Sequence, residues 1–284
     1  FSIIGGPFPS WASLDATTGL ISGTPPNATG SPFVFTLRAS NGVGTPASQN
    51  FTLAVVFPAA IATQPVNVTV TQGQAATFTV GAIGNPAPTY QWRKDTVAIF
   101  GATTSSLTLT NAQPASGGSY DVIVSNSLGS VTSSAVTLTV NTAPAITTQP
   151  VATTVNQGQN ATFTAAANGI PTPTFQWRKG STAISGATGA TFTLTSVQPA
   201  DAASYNVVVT NSVSSVTSNY AVLTVNFTPS VTTQPVAVTV VQGQTATFTF
   251  VAAGNPAPTY QWRRNDVNVA GATSSTLSLT NTQP

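Results

Sequence analysis

Gly73-Gln74-Ala75-Ala76-Thr77-Phe78-Thr79-Val80, followed by Gly84-Asn85-Pro86-Ala87-Pro88-Thr89-Tyr90-Gln91-Trp92, is the stretch on which the fold turns. Ala76, Phe78 and Val80 alternate with threonines, and Tyr90 and Trp92 alternate in the same way after a Gly/Pro-rich break. A period of two in apolar character, bounded by turn residues, marks antiparallel strands with one buried face. The pattern continues through Leu107 and Leu109, Tyr120, Val122 and Val124, then Val136, Leu138 and Val140, with Thr and Ser between them. Seven or so such strands in this length make a two-sheet sandwich, and no segment has a 3.6-residue apolar period, so essentially no helix is expected.

The stretch recurs. Gln64-Pro65 returns at Gln149-Pro150 and Gln234-Pro235, Trp92 at Trp177 and Trp262, and Gln113-Pro114 at Gln198-Pro199 and Gln283-Pro284, each step being 85 residues. A period this long exceeds the roughly 20–50 residues of solenoid units and matches a self-sufficient small domain. The chain therefore reads as all-β, a tandem row of sandwiches in an elongated array. The boundaries expected are 61–141 for repeat one, 146–226 for repeat two and 231–284 for a third repeat that stops part-way. Residues 57–60, 142–145 and 227–230 read as linkers, each with one proline, Pro58, Pro144 or Pro229. Short, equal, proline-bearing linkers favour a semi-rigid rod. Phe57 and Phe227 sit in two of the joints, either as wedges between neighbours or as caps on a domain's own core.

The run Gly73, Ala76-Thr77-Phe78, Gly84, Pro86, Pro88, Trp92, Leu107, Leu109, Tyr120, Asn126 and Gly129 resembles the I-set immunoglobulin pattern. The resemblance implies that Trp92 is the core tryptophan of strand C and that Tyr120 and Tyr205 form the tyrosine corner that opens strand F. The family's inter-sheet disulfide positions hold Val80 and Val122 in repeat one, Ala165 and Val207 in repeat two, and Phe250 at the first position of repeat three. Losing such a bridge typically costs about 2–5 kcal/mol. Apolar packing against the tryptophan offsets part of that cost, and the domain becomes indifferent to redox conditions. The aspartate that the family places between strands E and F is Asp201 in repeat two and Ser116 in repeat one; Gly129 of the F–G turn becomes Ser214.

Residues 1–56 differ. Pro9-Ser10-Trp11, Leu14-Asp15, Thr18-Gly19, Ile21-Ser22-Gly23-Thr24-Pro25, Phe33-Val34-Phe35 and Phe51-Thr52-Leu53 resemble the putative-Ig, cadherin-like domains of large bacterial surface proteins, here in partial form. Some relatives in that superfamily bind Ca²⁺, but Asp15 stands alone, and a turn-forming aspartate is the simpler reading.

Composition narrows the function. The 284 residues include no Cys, His, Met or Glu, and 4% are charged. General acid–base and nucleophilic catalysis rely on His or on paired carboxylates, whereas here Asp15, Asp95, Asp121, Asp201 and Asp266 are scattered. No enzyme, cofactor or metal site is expected. Seven Lys and Arg give a net charge of +2 without a basic run, so no nucleic-acid partner is expected. No apolar run approaches the ~18 residues of a membrane span. Zero cysteine and low charge suit a secreted or cell-surface bacterial protein. The chain opens inside a motif, so it reads as an internal window of a longer protein. The third repeat stops after the segment matching strand E, so strands F and G are expected from further chain or from a partner by strand addition.

Arg93-Lys94, Arg178-Lys179 and Arg263-Arg264 follow the core tryptophans, one basic pair per repeat, and Phe100 stands where the other repeats have Ser185 and Ala270. These are the candidate contact residues. A regular basic row suits an acidic polysaccharide, while solvated strand ends explain it more simply. Asn27, Asn50, Asn67, Asn160 and Asn226 lie in N-x-S/T sequons, which arise by chance in Thr-rich sequence. The leading expectation is a structural segment of an extracellular stalk, fibre or filament, whose partners are its own neighbours or further copies. The alternatives are an adhesin or carbohydrate-binding array with a glycan or matrix ligand, or accessory domains of a larger secreted or virion protein.

Overall fold

The computed structural model describes residues 1–26 and 31–283; Asn27 of the first sequon and Pro284 fall outside them. The chain divides into two compact units, Phe1–Asn141 and Thr142–Pro284. The described residues form strands and two 3-10 turns, Pro114–Ser116 and Pro199–Asp201, with no α-helix among them.

In the first unit, Phe33–Ala39 pairs on one side with Ser2–Gly5 and on the other with Ala47–Leu53, while Ala12–Leu14 and Ile21–Gly23 form a separate hairpin. Phe33 and Phe35 are buried. Trp11 meets Phe33 edge-on at 6.0 Å, and Phe8 meets Phe35 at 5.1 Å. The Asp15 carboxylate accepts hydrogen bonds from the backbone N–H groups of Thr17 and Thr18 at 2.7 and 2.9 Å, closing the hairpin turn. Those two donors hold the Asp15 pKa below its usual value.

Repeat one packs two sheets face to face. One contains, in order, Val97–Ala98, Thr89–Lys94, Gly118–Asn126 and the first half of Val136–Thr148, with Val68–Thr71 joined in parallel to that last strand. Ala76–Thr79 paired with Ser106–Leu109, and Phe57–Thr63 paired with Gly81–Asn85, lie opposite. The alternation read from the sequence sends Ala76, Phe78, Val80, Trp92, Leu107, Tyr120, Val122, Val124, Val136, Leu138 and Val140 into the core between them. Phe78 stacks on Tyr120 at 4.9 Å and leans on Trp92 at 6.0 Å. A fully buried indole needs a partner for its N–H, and Trp92 Nε1 donates to the Thr104 carbonyl at 3.0 Å. The Tyr120 hydroxyl donates to the Ser116 carbonyl at 2.7 Å, four residues back on the Pro114–Ser116 turn. Repeat two rebuilds the same device with Trp177 on Gly189 at 2.9 Å and Tyr205 on Asp201 at 2.8 Å. Val80, Val122, Ala165 and Val207, at the disulfide positions, are all buried.

The segments expected as linkers are extended strand. Residues 57–60 lie in Phe57–Thr63, 142–145 in Val136–Thr148 and 227–230 in Ala221–Thr233. Proline lacks the N–H that a ladder requires, so within sheets it is confined to edges and bulges. Here the ladder shifts register between Phe57 and Ala60, Thr142 and Ala145, and Phe227 and Ser230, around Pro58, Pro144 and Pro229. The bulge absorbs the missing donor and the strand runs on.

Candidate interaction surface

The basic pairs sit at the ends of the tryptophan strands Thr89–Lys94 and Thr174–Lys179 and, in repeat three, on the short strand Arg263–Arg264. Arg93 and Asp121 face one another across the ladder between Thr89–Lys94 and Gly118–Asn126. The guanidinium makes a two-pronged pair with the carboxylate, Nε to Oδ1 and Nη2 to Oδ2, both at 2.7 Å. This bond to Asp121 raises the Arg93 pKa. Lys94 turns its ammonium onto the Ala115 carbonyl, and Lys179 does the same with Ala200 at 2.7 Å. In repeat two Asn206 replaces the aspartate opposite Arg178. Arg178 Nε and Asn206 Oδ1 are both buried without a hydrogen-bond partner. Arg263 folds back on the Asp266 carbonyl, with Nε at 3.2 Å, and Arg264 is exposed. The arginines of the three repeats are thus placed differently and the lysines of repeats one and two alike, and Arg93, Lys94, Lys179 and Arg263 are engaged within their own repeats.

Phe100 is fully exposed, in the turn after Val97–Ala98, and Val97 beside it is also exposed. A recess of about 650 Å³ lies in repeat three between Phe248, Trp262, Leu277 and Leu279. Equivalent side chains in repeats one and two are covered by the strands that carry Tyr120 and Tyr205. The described residues contain no group of three or more His, Cys, Asp or Glu placed to hold a metal ion.

A set of asparagines, whose role the sequence pattern alone did not disclose, organises the base of each repeat. Asn126 Nδ2 donates to the carbonyls of Phe57 at 2.9 Å and Pro86 at 3.0 Å. Its Oδ1 accepts from Ala59 N at 3.2 Å and Leu128 N at 3.0 Å. Asn211 repeats this with the Thr142 and Pro171 carbonyls at 2.8 and 3.0 Å. Gly84 allows a close approach beside it: a Cβ there would lie 3.0 Å from Pro88, 3.1 Å from the Asn126 amide and 3.3 Å from Ala59 Cα. Asn85 and Asn255 reach further. Asn85 Nδ2 donates to the Val55 carbonyl of the preceding domain, and Asn255 Nδ2 to the Val225 carbonyl at 2.9 Å. The signal available was the recurrence of Asn126 at Asn211, one 85-residue period on, and of Asn85 at Asn255, two periods on, with Ile170 between.

The immunoglobulin domain family matches residues 58–126, 143–211 and 228–284, and the putative Ig domain family matches residues 1–56. The chain belongs to the immunoglobulin-domain family. Among curated relatives of these immunoglobulin repeats, Endoglucanase C of Cellulomonas fimi is 41% identical over 129 residues, covering 44% of this chain and 12% of the relative. Leucine-rich repeats and immunoglobulin-like domains protein 3 of Mus musculus is 31% identical over 235 residues, covering 72% of this chain and 21% of the relative. Roundabout homolog 1 of Mus musculus is 30% identical over 255 residues, covering 81% and 16%. The chain therefore spans a fifth or so, or less, of the length of each. An I-band fragment from titin shares the fold, with a TM-score of 0.59 and 18% identity, over 81% of this chain and 90% of that one. The protein is an all-β tandem array of immunoglobulin-like domains, and no helix among the described residues is long and apolar enough to cross a membrane.

Proposed function

We propose that this chain is a non-enzymatic structural segment of an extracellular stalk, fibre or filament, with domains at 1–56, 61–141, 146–226 and 231–284. The observation that carries the reading is the construction of the joints. Residues 57–60, 142–145 and 227–230 are strand paired into the repeat that follows, and the last two of these strands run on from the domain before. Asn85 hydrogen-bonds backward onto Val55, just past the last strand of the domain before it, and Asn255 onto Val225 in the last core strand of repeat two, while repeat two has Ile170 at this place. Such joints suit a segment that transmits position along its length. Neighbouring domains and further copies of the chain are its partners, and the low charge weakens the repulsion that keeps sandwiches apart.

Negative-stain microscopy of the assembly purified from its native source tests this. Stiff rods or filaments are expected; isolated, flexible particles would count against the reading. A second reading, an adhesin or glycan-binding array, is favoured by one feature, the exposure of Phe100. Glycan-array binding that is abolished by Phe100→Ala would establish it. The likeness to Endoglucanase C supports a third, that these are accessory domains of a larger secreted protein.

A further inference from the structure

Each repeat has an antiparallel sheet edge that carries none of the usual guards. Ser106–Leu109 pairs with Ala76–Thr79 on one side and with no other strand among the described residues. Thr191–Leu194 and Thr276–Leu279 stand in the same position in repeats two and three. Natural edge strands are protected by charge, proline or a bulge. These three hold only Ser, Thr, Leu and Phe, and their registers run without a shift. The opposite sheet ends on one side in Val97–Ala98, two residues that adjoin Lys94 and Asp95, and on the other in Val68–Thr71, which is joined in parallel to Val136–Thr148.

The backbone phase fixes what the open edge offers. Val80 N donates to the Ser105 carbonyl at 2.9 Å, so the residues directed at the partner strand are Ser105, Leu107 and Leu109. Thr108 therefore turns its own N–H and C=O outward. The bonds from Ala165 N to the Ala190 carbonyl and from Phe250 N to the Ser275 carbonyl place Thr193 and Ser278 in the same phase.

The sequence around each of these residues reads alike in both directions. Leu107 and Leu109 flank Thr108, Phe192 and Leu194 flank Thr193, and Leu277 and Leu279 flank Ser278. An antiparallel two-fold pairing centred on the hydroxyl residue sets hydroxyl against hydroxyl and apolar against apolar, with the core-facing side chains remaining inward. It also extends the outer face, which at Thr77, Thr79, Ser106 and Thr108 is entirely hydroxylic and exposed. The edge is complementary to itself.

We infer that Ser106–Leu109, and its counterparts Thr191–Leu194 and Thr276–Leu279, are the surfaces by which two copies of this chain associate side by side, through antiparallel pairing centred on Thr108, Thr193 and Ser278. The inference rests on the structural reading above, in which copies lie close together. A two-fold axis passes through one edge only, so a chain that uses more than one edge pairs with a different copy at each.

The absence of cysteine makes the test clean. In a hydrogen-bonded antiparallel pair the facing Cα atoms lie about 5.5 Å apart, within the roughly 4.4–6.8 Å that a disulfide spans. Thr108→Cys and Thr193→Cys are expected to form covalent dimers under mild oxidation, in yields an order of magnitude above Thr79→Cys, which sits on the same face one strand in from the edge. Equal yields from the three variants would overturn the inference. In sedimentation experiments the triple variant Thr108→Lys/Thr193→Lys/Ser278→Lys is expected to associate at least an order of magnitude more weakly than the parent, with an unchanged melting curve. Association that survives the three lysines would overturn it too. Either failure leaves the stalk reading to its own test by microscopy.

Discussion

Repeats one and two share a tryptophan, a tyrosine corner and an asparagine hub, yet they fill the space around these differently. Repeat one has Val80 and Leu107, and repeat two has Ala165 and Phe192 at the same places. Val80 lies two residues along its strand from Phe78, which faces Leu107 across the ladder, so the pair are diagonal neighbours on one face. In repeat two the smaller residue makes room for the larger. Phe192 stacks on Trp177 at 5.9 Å and leans on Tyr205 at 6.0 Å, contacts for which Leu107 has no ring. A second difference lies on the opposite sheet, where Arg93 finds a carboxylate in Asp121 but Arg178 faces the amide of Asn206. The core pairs a smaller residue with a larger one, whereas the charged site of repeat two leaves Arg178 Nε and Asn206 Oδ1 without a partner.

The sharpest way to break the comparison is at Phe192. Phe192→Ala leaves a cavity beside a position already reduced to alanine, and a loss of about 3 kcal/mol is expected in repeat two. Leu107→Ala in repeat one costs less, about 2 kcal/mol, because Val80 already fills part of the space. Phe192→Leu combined with Ala165→Val installs the repeat-one pair in repeat two, and is expected to be less destabilising than the sum of the two single changes. Hydrogen exchange resolved by peptide reads each repeat separately, with the unmutated one as internal reference.

A smaller effect is expected at the corners, where the two repeats should agree. Tyr120→Phe and Tyr205→Phe each remove one buried hydrogen bond, at about 1 kcal/mol. Both phenols are pushed above their ordinary pKa, first by burial and then by the negative charges of Asp95 and Asp201 respectively. The folded state thus favours the protonated form. The stability this contributes is complete below the unfolded tyrosine value near ~10 and is lost as pH rises through the higher folded value. Alkaline unfolding that shifts in neither phenylalanine variant would show the corners to be passive.

The smallest effect tests the unmatched arginine. Asn206→Asp gives Arg178 the partner that Arg93 has, and a rise of about one or two degrees in the melting of repeat two is expected, since pairs near the surface stabilise modestly. The gain should fade when the new carboxylate is protonated in acid. No gain at neutral pH would mean that the buried Arg178 nitrogen is satisfied by solvent.

The sandwich was legible in the sequence because each of its determinants is local: alternation along a strand, a tryptophan and a tyrosine at fixed offsets, glycine where two segments of the chain approach. Phe78, Trp92 and Tyr120 therefore lie where their spacing placed them. The joints were not legible in this way. Pro58, Pro144 and Pro229 signal a break in a ladder, and only the bulge in the partner register shows that the strand survives them. Arg93 and Asp121 are 28 residues apart, and nothing short of the strand register brings them together. The same holds for Asn126, whose partners come from a preceding strand and a neighbouring loop.

The parallel ladder in repeat two, Thr153–Asn156 against Leu223–Asn226, has a mechanical consequence. Chain enters the sandwich before Thr153 and leaves it after Asn226, so tension on the two ends slides these parallel strands past one another. Their hydrogen bonds are then loaded in shear, all at once, and do not peel open in sequence. Because Ala221–Thr233 continues without a loop into repeat three, a pull arriving from that side reaches the ladder along a taut strand with no slack to take up first.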